Sequence, residues 1–221
     1  MLNIKRSIVS LLTASLLTGA AWAESPSKQI AKPTFEEYVA TLKTEAAEKG
    51  YEPSFIENSF KNITFHKRAV KADRNQPEFV ETLDTYLPKR VPEWKVKRAR
   101  AMYKEHYELL NKVGEEYGVQ PRFIVALWGL ETNFGKIMGN YNVVSALTTL
   151  AYEGRREAFF KKQLWAAFDI LQQGHIAIEN MKGSWAGAMG QNQFMPTSFL
   201  AYAVDGDGDG KKDIWTNQAD V

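Results

Sequence analysis

The chain has 221 residues, 44% of them hydrophobic, and a formal net charge of +2. A chain of this size and composition can bury a core, which excludes a disordered or fibrous protein. The small net charge argues for neither a nucleic-acid partner nor a strongly acidic one, and we expect no nucleic-acid partner. Because cysteine is absent and the three histidines are scattered, we expect no disulfide, no lipid-modified cysteine and no histidine metal cluster.

The first residues are typical of an export signal. Lys5 and Arg6 precede an apolar run over 8–22, and 21–23 (Ala-Trp-Ala) form a small-x-small cleavage site. The run is short and polar for a membrane span of ~20 residues, although an uncleaved anchor is the alternative. We therefore expect a signal peptide over 1–23, a polar tether over 24–33 and a soluble exported protein.

Helical patterns dominate the next part of the chain, which we interpret as an N-terminal helical subdomain over 34–118. Thr34 and Glu37 form a capping box for a helix over 35–48. Prolines predict a loop-rich connector between 67 and 92, and a long helix from there to Gly118. Its first half is basic, which is typical of a solvated helix face more than of a site for an acidic polymer: Lys95, Lys97, Arg98, Arg100 and Lys104.

The stretch 121–135 carries one carboxylate in an otherwise apolar helix that we expect to be buried on most sides. Pro121 suits its first turn and Gly135 a left-handed cap. Glu131 lies on the same helical face as Ile124 and Leu127, so desolvation predicts a raised pKa, as a general acid requires. The alternative is a glutamate that ends a core helix and reaches solvent.

Two further segments follow. Apolar residues at helical spacing predict a helix that Arg155 and Arg156 open and Gly174 ends, with a short helix over 175–181 after it. The stretch 184–198 combines glycines at 187 and 190 with the neutral polar residues Ser184, Gln191 and Gln193 and the apolar residues Trp185, Phe194 and Met195. This mixture suits sugar binding, whereas a glycine-rich packing loop is the alternative.

An acidic loop near residue 205 matches the first half of an EF-hand. Asp205, Asp207 and Asp209 stand at positions 1, 3 and 5, and Lys211 stands at position 7, where the main chain supplies a ligand. Position 12 is Thr216 instead of a bidentate glutamate. The acids would repel one another without a cation, so the spacing predicts Ca²⁺; a plain Asp-Gly turn is the alternative.

Three separated segments together resemble the lytic murein transglycosylase B family: 128–135 (Trp-Gly-Leu-Glu-Thr-Asn-Phe-Gly), 152–156 (Tyr-Glu-Gly-Arg-Arg) and 184–196, with Ser-Trp-Ala-Gly-Ala-Met-Gly and Gln-Phe-Met-Pro. The resemblance implies a mainly α protein with a lysozyme-like core, here over 119–221. It implies a periplasmic enzyme that acts on peptidoglycan glycan strands. Such an enzyme cleaves the MurNAc–GlcNAc bond without water and leaves a 1,6-anhydro ring.

The resemblance also implies roles for individual residues. Glu131 matches the sole catalytic acid and base, and the chemistry needs no cofactor. Ser184 and Gln193 match family residues that bind acetamido or hydroxyl groups of the sugar. Asp220 matches the acid that closes the calcium loop. The remaining matches are apolar walls, Phe194 and Met195, and arginines that face peptide or lactyl carboxylates, Arg155 and Arg156.

The ending at Val221 departs from the family, whose members continue beyond the acidic loop. We therefore expect a core that is incomplete at the C-terminus, with reduced activity and stability. Two other functions stay open: a catalytically silent peptidoglycan-binding or scaffolding protein on the same core, and a lysozyme-type hydrolase. No protein partner is predicted.

Overall fold

The structure, a computed structural model, describes residues 32–75 and 82–221. The predicted signal peptide lies outside the described residues, as does the predicted tether up to residue 31. Residues 33–221 form a single structural unit. Within the described ranges, no helix has the length and apolar character needed to cross a membrane.

The described chain is mainly helical, as predicted. Two short antiparallel strands, β1 (Tyr141–Asn142) and β2 (Lys182–Gly183), pair Tyr141 with Gly183. The helices are α1 (Phe35–Glu48), α2 (Pro53–Phe60), α3 (Lys67–Arg74), α4 (Leu83–Arg90), α5 (Glu93–Glu105), α6 (Tyr107–Tyr117), α7 (Pro121–Thr132), α8 (Val143–Glu153), α9 (Glu157–Gln172) and α10 (Pro196–Tyr202).

Several helix boundaries follow the predicted local signals. The Thr34 side chain accepts a hydrogen bond from the Glu37 N–H at 3.2 Å, and the Glu37 carboxylate accepts one from the Thr34 N–H at 2.7 Å. This capping box confirms the predicted start of α1. Gly118 ends α6 in a left-handed conformation, and Pro121 occupies the first turn of α7.

Three predictions about the helices are wrong. The expected connector between 67 and 92 contains α3 and α4, and Pro88 lies inside α4. The expected long helix is broken at His106, whose backbone leaves the helical region, so that α5 and α6 can both pack against α7. The expected helix over 175–181 consists of turns, because the chain must extend there to form β2 beside β1.

Two hydrophobic clusters hold the described chain together. The larger joins α1, α2 and α8–α10, and it contains Leu147, Phe168, Phe199 and Ile214. The smaller lies between α5, α6 and α7 and contains Met102, Leu110, Val125 and Phe134. The predicted boundary between residues 118 and 119 stays a prediction.

Candidate active site

Helix α7 presents Glu131 next to its last residue. Val125, Gly129 and Thr132 are its buried residues. Val125 belongs to the smaller cluster with Met102 of α5 and Leu110 of α6, and the Thr132 hydroxyl donates to the carbonyl oxygen of Gln191. The prediction that this helix is buried on most sides is wrong, since Leu127 is 60% exposed and Phe123 and Leu130 are also exposed. Among the described helices, α5 and α6 make the main contacts with α7.

Glu131 lines a cleft of about 480 Å³. The spacing prediction is confirmed, since Ile124 and Leu127 line the same cleft. Apolar side chains dominate its wall: Leu109, Leu110, Ile124, Leu127, Trp128 and Phe194. His106, Asn192 and Gln218 add polar groups, and among the described residues of the lining Glu131 has the only side-chain carboxylate.

The apolar wall changes the acidity of Glu131. The residue is exposed by surface area, but its carboxyl group lies among side chains that exclude part of its hydration shell. This desolvation raises the pKa of Glu131 above its ordinary value, as predicted from the sequence. A proton is therefore available at higher pH than on a free glutamate.

The turn after α7 is left-handed over three residues. Asn133, Phe134 and Gly135 all have positive φ, so the turn begins two residues before the glycine predicted as the cap. The buried Phe134 ring packs edge-on against Trp128, with 5.5 Å between ring centroids. The turn thus brings an aromatic side chain back under the Glu131 end of α7.

The loop over 184–195 folds tightly against the larger cluster. The predicted close approaches are confirmed, since a Cβ at Gly187 would lie 2.4 Å from Leu147 and a Cβ at Gly190 would lie 2.5 Å from Ile214. Met189 and Phe194 exchange main-chain hydrogen bonds at 2.8 and 3.0 Å. The packing interpretation of this loop is therefore confirmed, and the loop also places Phe194 in the lining of the cleft. Its binding of sugar stays a prediction.

Ser184 and Gln193, to which the resemblance assigns sugar contacts, already make hydrogen bonds within the protein. The Ser184 hydroxyl accepts from the N–H groups of Ala186 and Ala188 at 3.3 and 3.1 Å, which leaves its own proton to donate. The Gln193 amide nitrogen donates to the carbonyl oxygens of Met138 and Gly190 at 3.1 and 3.0 Å. Its amide oxygen remains as an acceptor.

Met195, unlike Phe194, does not line the described part of the Glu131 cleft. It precedes α10 and packs against the larger cluster.

Arg155 and Arg156 share an internal partner, Asp73 of α3. Arg155 donates from Nε to the Asp73 carboxylate at 2.8 Å, and Arg156 donates from Nη2 at 2.5 Å. Asp73 is buried, whereas the arginine side chains are 48% and 38% exposed. Neither arginine belongs to the described lining of the Glu131 cleft.

The acidic loop brings together three of its predicted ligands. Ligand oxygens of Asp205, Asp207 and Asp209 lie within 4.8 Å of one another. Hydrogen bonds from the N–H of Gly210, and further ones in the loop, hold the pKa of Asp205 below its ordinary value. Three converging carboxylates are a donor set that suits a hard divalent cation such as Ca²⁺.

The other predicted ligands lie beside this trio. The buried Asp220 carboxylate accepts from the N–H groups of Gly206 and Asp213 at 2.7 and 2.6 Å, so it ties the two ends of the loop together. Lys211 donates its N–H to Asp209 at 2.8 Å. Thr216, at position 12, bonds to Asp213 instead.

Sequence reasoning missed the residues that complete the cleft. His106, Asn192 and Gln218 come from three distant segments, and no periodicity relates them. Asp73 was missed for the same reason, although two adjacent arginines indicate that an acid lies nearby in the fold.

The fold and the cleft define a mainly helical, lysozyme-like protein with one carboxylate in an apolar groove. Residues 34–221 match the family described as "Transglycosylase SLT domain", and the chain belongs to this family. This agrees with the resemblance predicted from the three motifs.

The match to each individual relative covers only part of that relative's length. Membrane-bound lytic murein transglycosylase B of Escherichia coli (strain K12) is 37% identical over 121 residues, which are 54% of this chain and 34% of that relative. SltB3 from Pseudomonas aeruginosa, solved in complex with NAG-NAM-pentapeptide, matches with a TM-score of 0.80 and 42% identity. That match covers 85% of this chain and 50% of SltB3.

A third relative was solved with a metal ion. The Escherichia coli lytic transglycosylase SLT35, in complex with calcium, matches with a TM-score of 0.71 and 27% identity, over 86% of this chain and 60% of that one. The chain therefore spans about a third to three fifths of the relatives named here.

Proposed function

We propose that this chain is a lytic transglycosylase that cleaves the β-1,4 bond between MurNAc and GlcNAc in peptidoglycan and forms 1,6-anhydro-MurNAc. The observation that carries the proposal is Glu131, a single carboxylate of raised pKa in an apolar cleft. Ordinary glycosidases place two carboxyl groups across the scissile bond. A cleft with one such group suits a reaction in which the substrate supplies its own nucleophile.

One side chain would serve twice in this reaction. Protonated Glu131 donates its proton to the glycosidic oxygen, and the bond from that oxygen to C1 of MurNAc breaks. The acetamido group of the same sugar stabilises the cation at C1. Glu131, now a carboxylate, takes the proton from the O6 hydroxyl as O6 bonds to C1, so that water is not consumed and Glu131 is protonated again.

The loop over 184–195 supplies groups that fit a sugar. Ser184 retains a hydroxyl proton to donate to a sugar oxygen, and Gln193 retains an amide oxygen that can accept an acetamido N–H. Phe194 would provide an apolar wall for a ring face, and Met195, which packs against the larger cluster, would form the neighbouring apolar wall. The complex of SltB3 with NAG-anhNAM-pentapeptide supports this choice of substrate and product.

Arg155 and Arg156 would face the peptide or lactyl carboxylates. Two guanidinium groups share the single carboxylate of Asp73, so one positive charge in this trio is uncompensated. Both side chains are half exposed and have N–H groups that Asp73 does not use. Asp73 would then hold the arginines in place for a carboxylate of the substrate.

The acidic loop would hold Ca²⁺ as a structural ion. Asp205, Asp207 and Asp209 would bind the ion, with the Lys211 carbonyl at position 7 and Asp220 closing the loop. The calcium complex of SLT35 supports this assignment. Because Thr216 replaces the bidentate glutamate, we expect modest affinity.

We propose a periplasmic location, which the proposed substrate and the export signal predicted over 1–23 support. Peptidoglycan glycan strands are the expected partner, and we expect no nucleic-acid partner.

The test is product analysis on purified peptidoglycan. We expect muropeptides with anhydro ends, which are lighter by one water than reducing ends and are separated by mass spectrometry. Glu131→Gln keeps the shape of the side chain and removes its proton, so turnover should fall by about 10²–10⁴-fold or more while binding to peptidoglycan is retained.

A matched control is Glu116→Gln, which alters an exposed glutamate of α6 outside the cleft and should leave turnover unchanged. Reducing ends without anhydro ends would indicate a lysozyme-type hydrolase. Binding without any product would indicate a catalytically silent peptidoglycan-binding protein. Full turnover by Glu131→Gln would remove Glu131 from the mechanism.

A further inference from the structure

Gln191 is a polar side chain buried where the two hydrophobic clusters meet. It is only 5% exposed. Its amide oxygen accepts a hydrogen bond from the indole N–H of Trp128 at 2.8 Å, and its amide nitrogen donates to the carbonyl oxygen of Trp215 at 3.1 Å. Trp128 packs on the smaller cluster and Trp215 belongs to the larger one. A single amide thus joins both clusters.

The main chain of Gln191 makes the same connection a second time. Its N–H donates to the carbonyl oxygen of Ile214 at 2.8 Å, and its carbonyl oxygen accepts from the Thr132 hydroxyl at 2.7 Å. The Thr132 oxygen also accepts from the N–H of Gly135 at 3.0 Å, which fixes the left-handed turn after α7. Two bonds therefore lead to α7 and two lead to residues 214 and 215.

These bonds bracket Glu131. Trp128 lies three residues before Glu131 and Thr132 lies one residue after it, so Gln191 holds both sides of the helical turn that carries the carboxylate. The segment beyond Trp215 leads to Gln218, which lines the same cleft as Glu131. The position of Gln191 thus sets the last turn of α7 relative to the segment that carries Gln218.

We propose that Gln191 is a positioning residue that fixes the last turn of α7, and with it Glu131, against the segment 214–218. The proposal rests on the proposed function, because it assigns Gln191 a part in the work of Glu131. Gln191 touches neither the carboxylate nor, in this proposal, the substrate. It acts through Trp128 and Thr132.

The test replaces Gln191 by methionine, which has similar length and volume and none of the amide hydrogen bonds. Gln163→Met is the matched control, because Gln163 is also a buried glutamine whose amide bonds to Thr197 at 3.0 Å, between α9 and α10. Both variants lose a buried amide and should lower Tm, whereas only Gln191→Met should affect Glu131.

Three readouts separate positioning from a purely structural role. In Gln191→Met we expect kcat on peptidoglycan to fall about tenfold or more, with KM changed less than about threefold. The carboxyl pKa of Glu131, followed by NMR, should move down toward its ordinary value as water enters the cleft. The indole N–H resonance of Trp128 should shift because its acceptor is gone.

His106 is the other titratable side chain among the described residues of the cleft. The NMR signals of His106 are therefore recorded separately, so that the pKa assigned to Glu131 is measured on the Glu131 carboxyl itself. Thr132→Val removes the bond to the Gln191 carbonyl oxygen and the acceptor of the Gly135 N–H, and it keeps the Trp128–Gln191 bond. It serves as a second variant if Gln191→Met does not fold, and it should change kcat and the Glu131 pKa in the same direction.

The outcomes are distinct. If Gln191→Met and Thr132→Val lower Tm as Gln163→Met does but leave kcat and the Glu131 pKa unchanged, the proposal is overturned. If the unaltered chain forms no product, the proposed function fails, but the Glu131 pKa and the Trp128 resonance still test the positioning by Gln191.

Discussion

Replacing Asp73 by asparagine tests the ion-pair cluster that links α3 to the start of α9. Asparagine keeps the shape of the side chain and one acceptor oxygen, but it removes the charge that Arg155 and Arg156 share. The Asp73 side chain is 2% exposed, so in the native chain the arginines stabilise its carboxylate in place of water.

The size of the expected stability loss follows from how deeply Asp73 and its two arginine partners are buried. One charge-assisted hydrogen bond is lost, which is worth about 1.5–3 kcal/mol. Breaking a fully buried ion pair costs about 3–5 kcal/mol, but the half-exposed arginines can be hydrated and the loss is smaller. We expect a loss of about 2 kcal/mol in the free energy of unfolding, and a fall in Tm of about 4–8 °C for a chain of this length.

Thermal unfolding by circular dichroism measures this change. The control is Glu57→Gln, which removes the charge of an exposed pair: Glu57 lies 2.8 Å from Lys43 and its side chain is 69% exposed. Its effect should stay within about 0.5 kcal/mol. Equal Tm values for the two variants would refute the argument that burial makes Asp73 the stronger anchor.

Three more predictions follow from the structure. The alkaline limb of kcat/KM on peptidoglycan should lie above the ordinary glutamate pKa of 4.5, because a raised pKa keeps Glu131 protonated to higher pH; a limb at the ordinary value would contradict this. Calcium at a hundredfold excess over Kd should raise stability by about 2.7 kcal/mol, and equal Tm values in calcium and in chelator would exclude a native-state site. Asp205→Asn should abolish the difference in Tm between calcium and chelator. Thr34→Ala should cost about 1 kcal/mol through loss of the α1 cap, and an unchanged Tm would argue against the capping box.

Local sequence determined several features of this protein without tertiary information. The capping box at Thr34 and the left-handed end at Gly118 depend on residues near one another in the chain. The spacing of Asp205, Asp207 and Asp209 likewise brings them together within one loop. The face that Glu131 shares with Leu127 follows from helical geometry.

Tertiary structure decided the rest. The break at His106 has no proline or glycine to mark it, and it exists because α5 and α6 both reach α7. The exposure of Leu127 could not be predicted either, since an apolar side chain is buried only where the fold supplies a partner. Asp73 meets Arg155 across 82 residues and Gln191 meets Trp128 across 63. The sequence offers these polar groups, but only tertiary packing brings them within hydrogen-bonding distance. The packing of α3 on α8 does so for Asp73, and the meeting of the two hydrophobic clusters does so for Gln191. Burial then gives such contacts their strength.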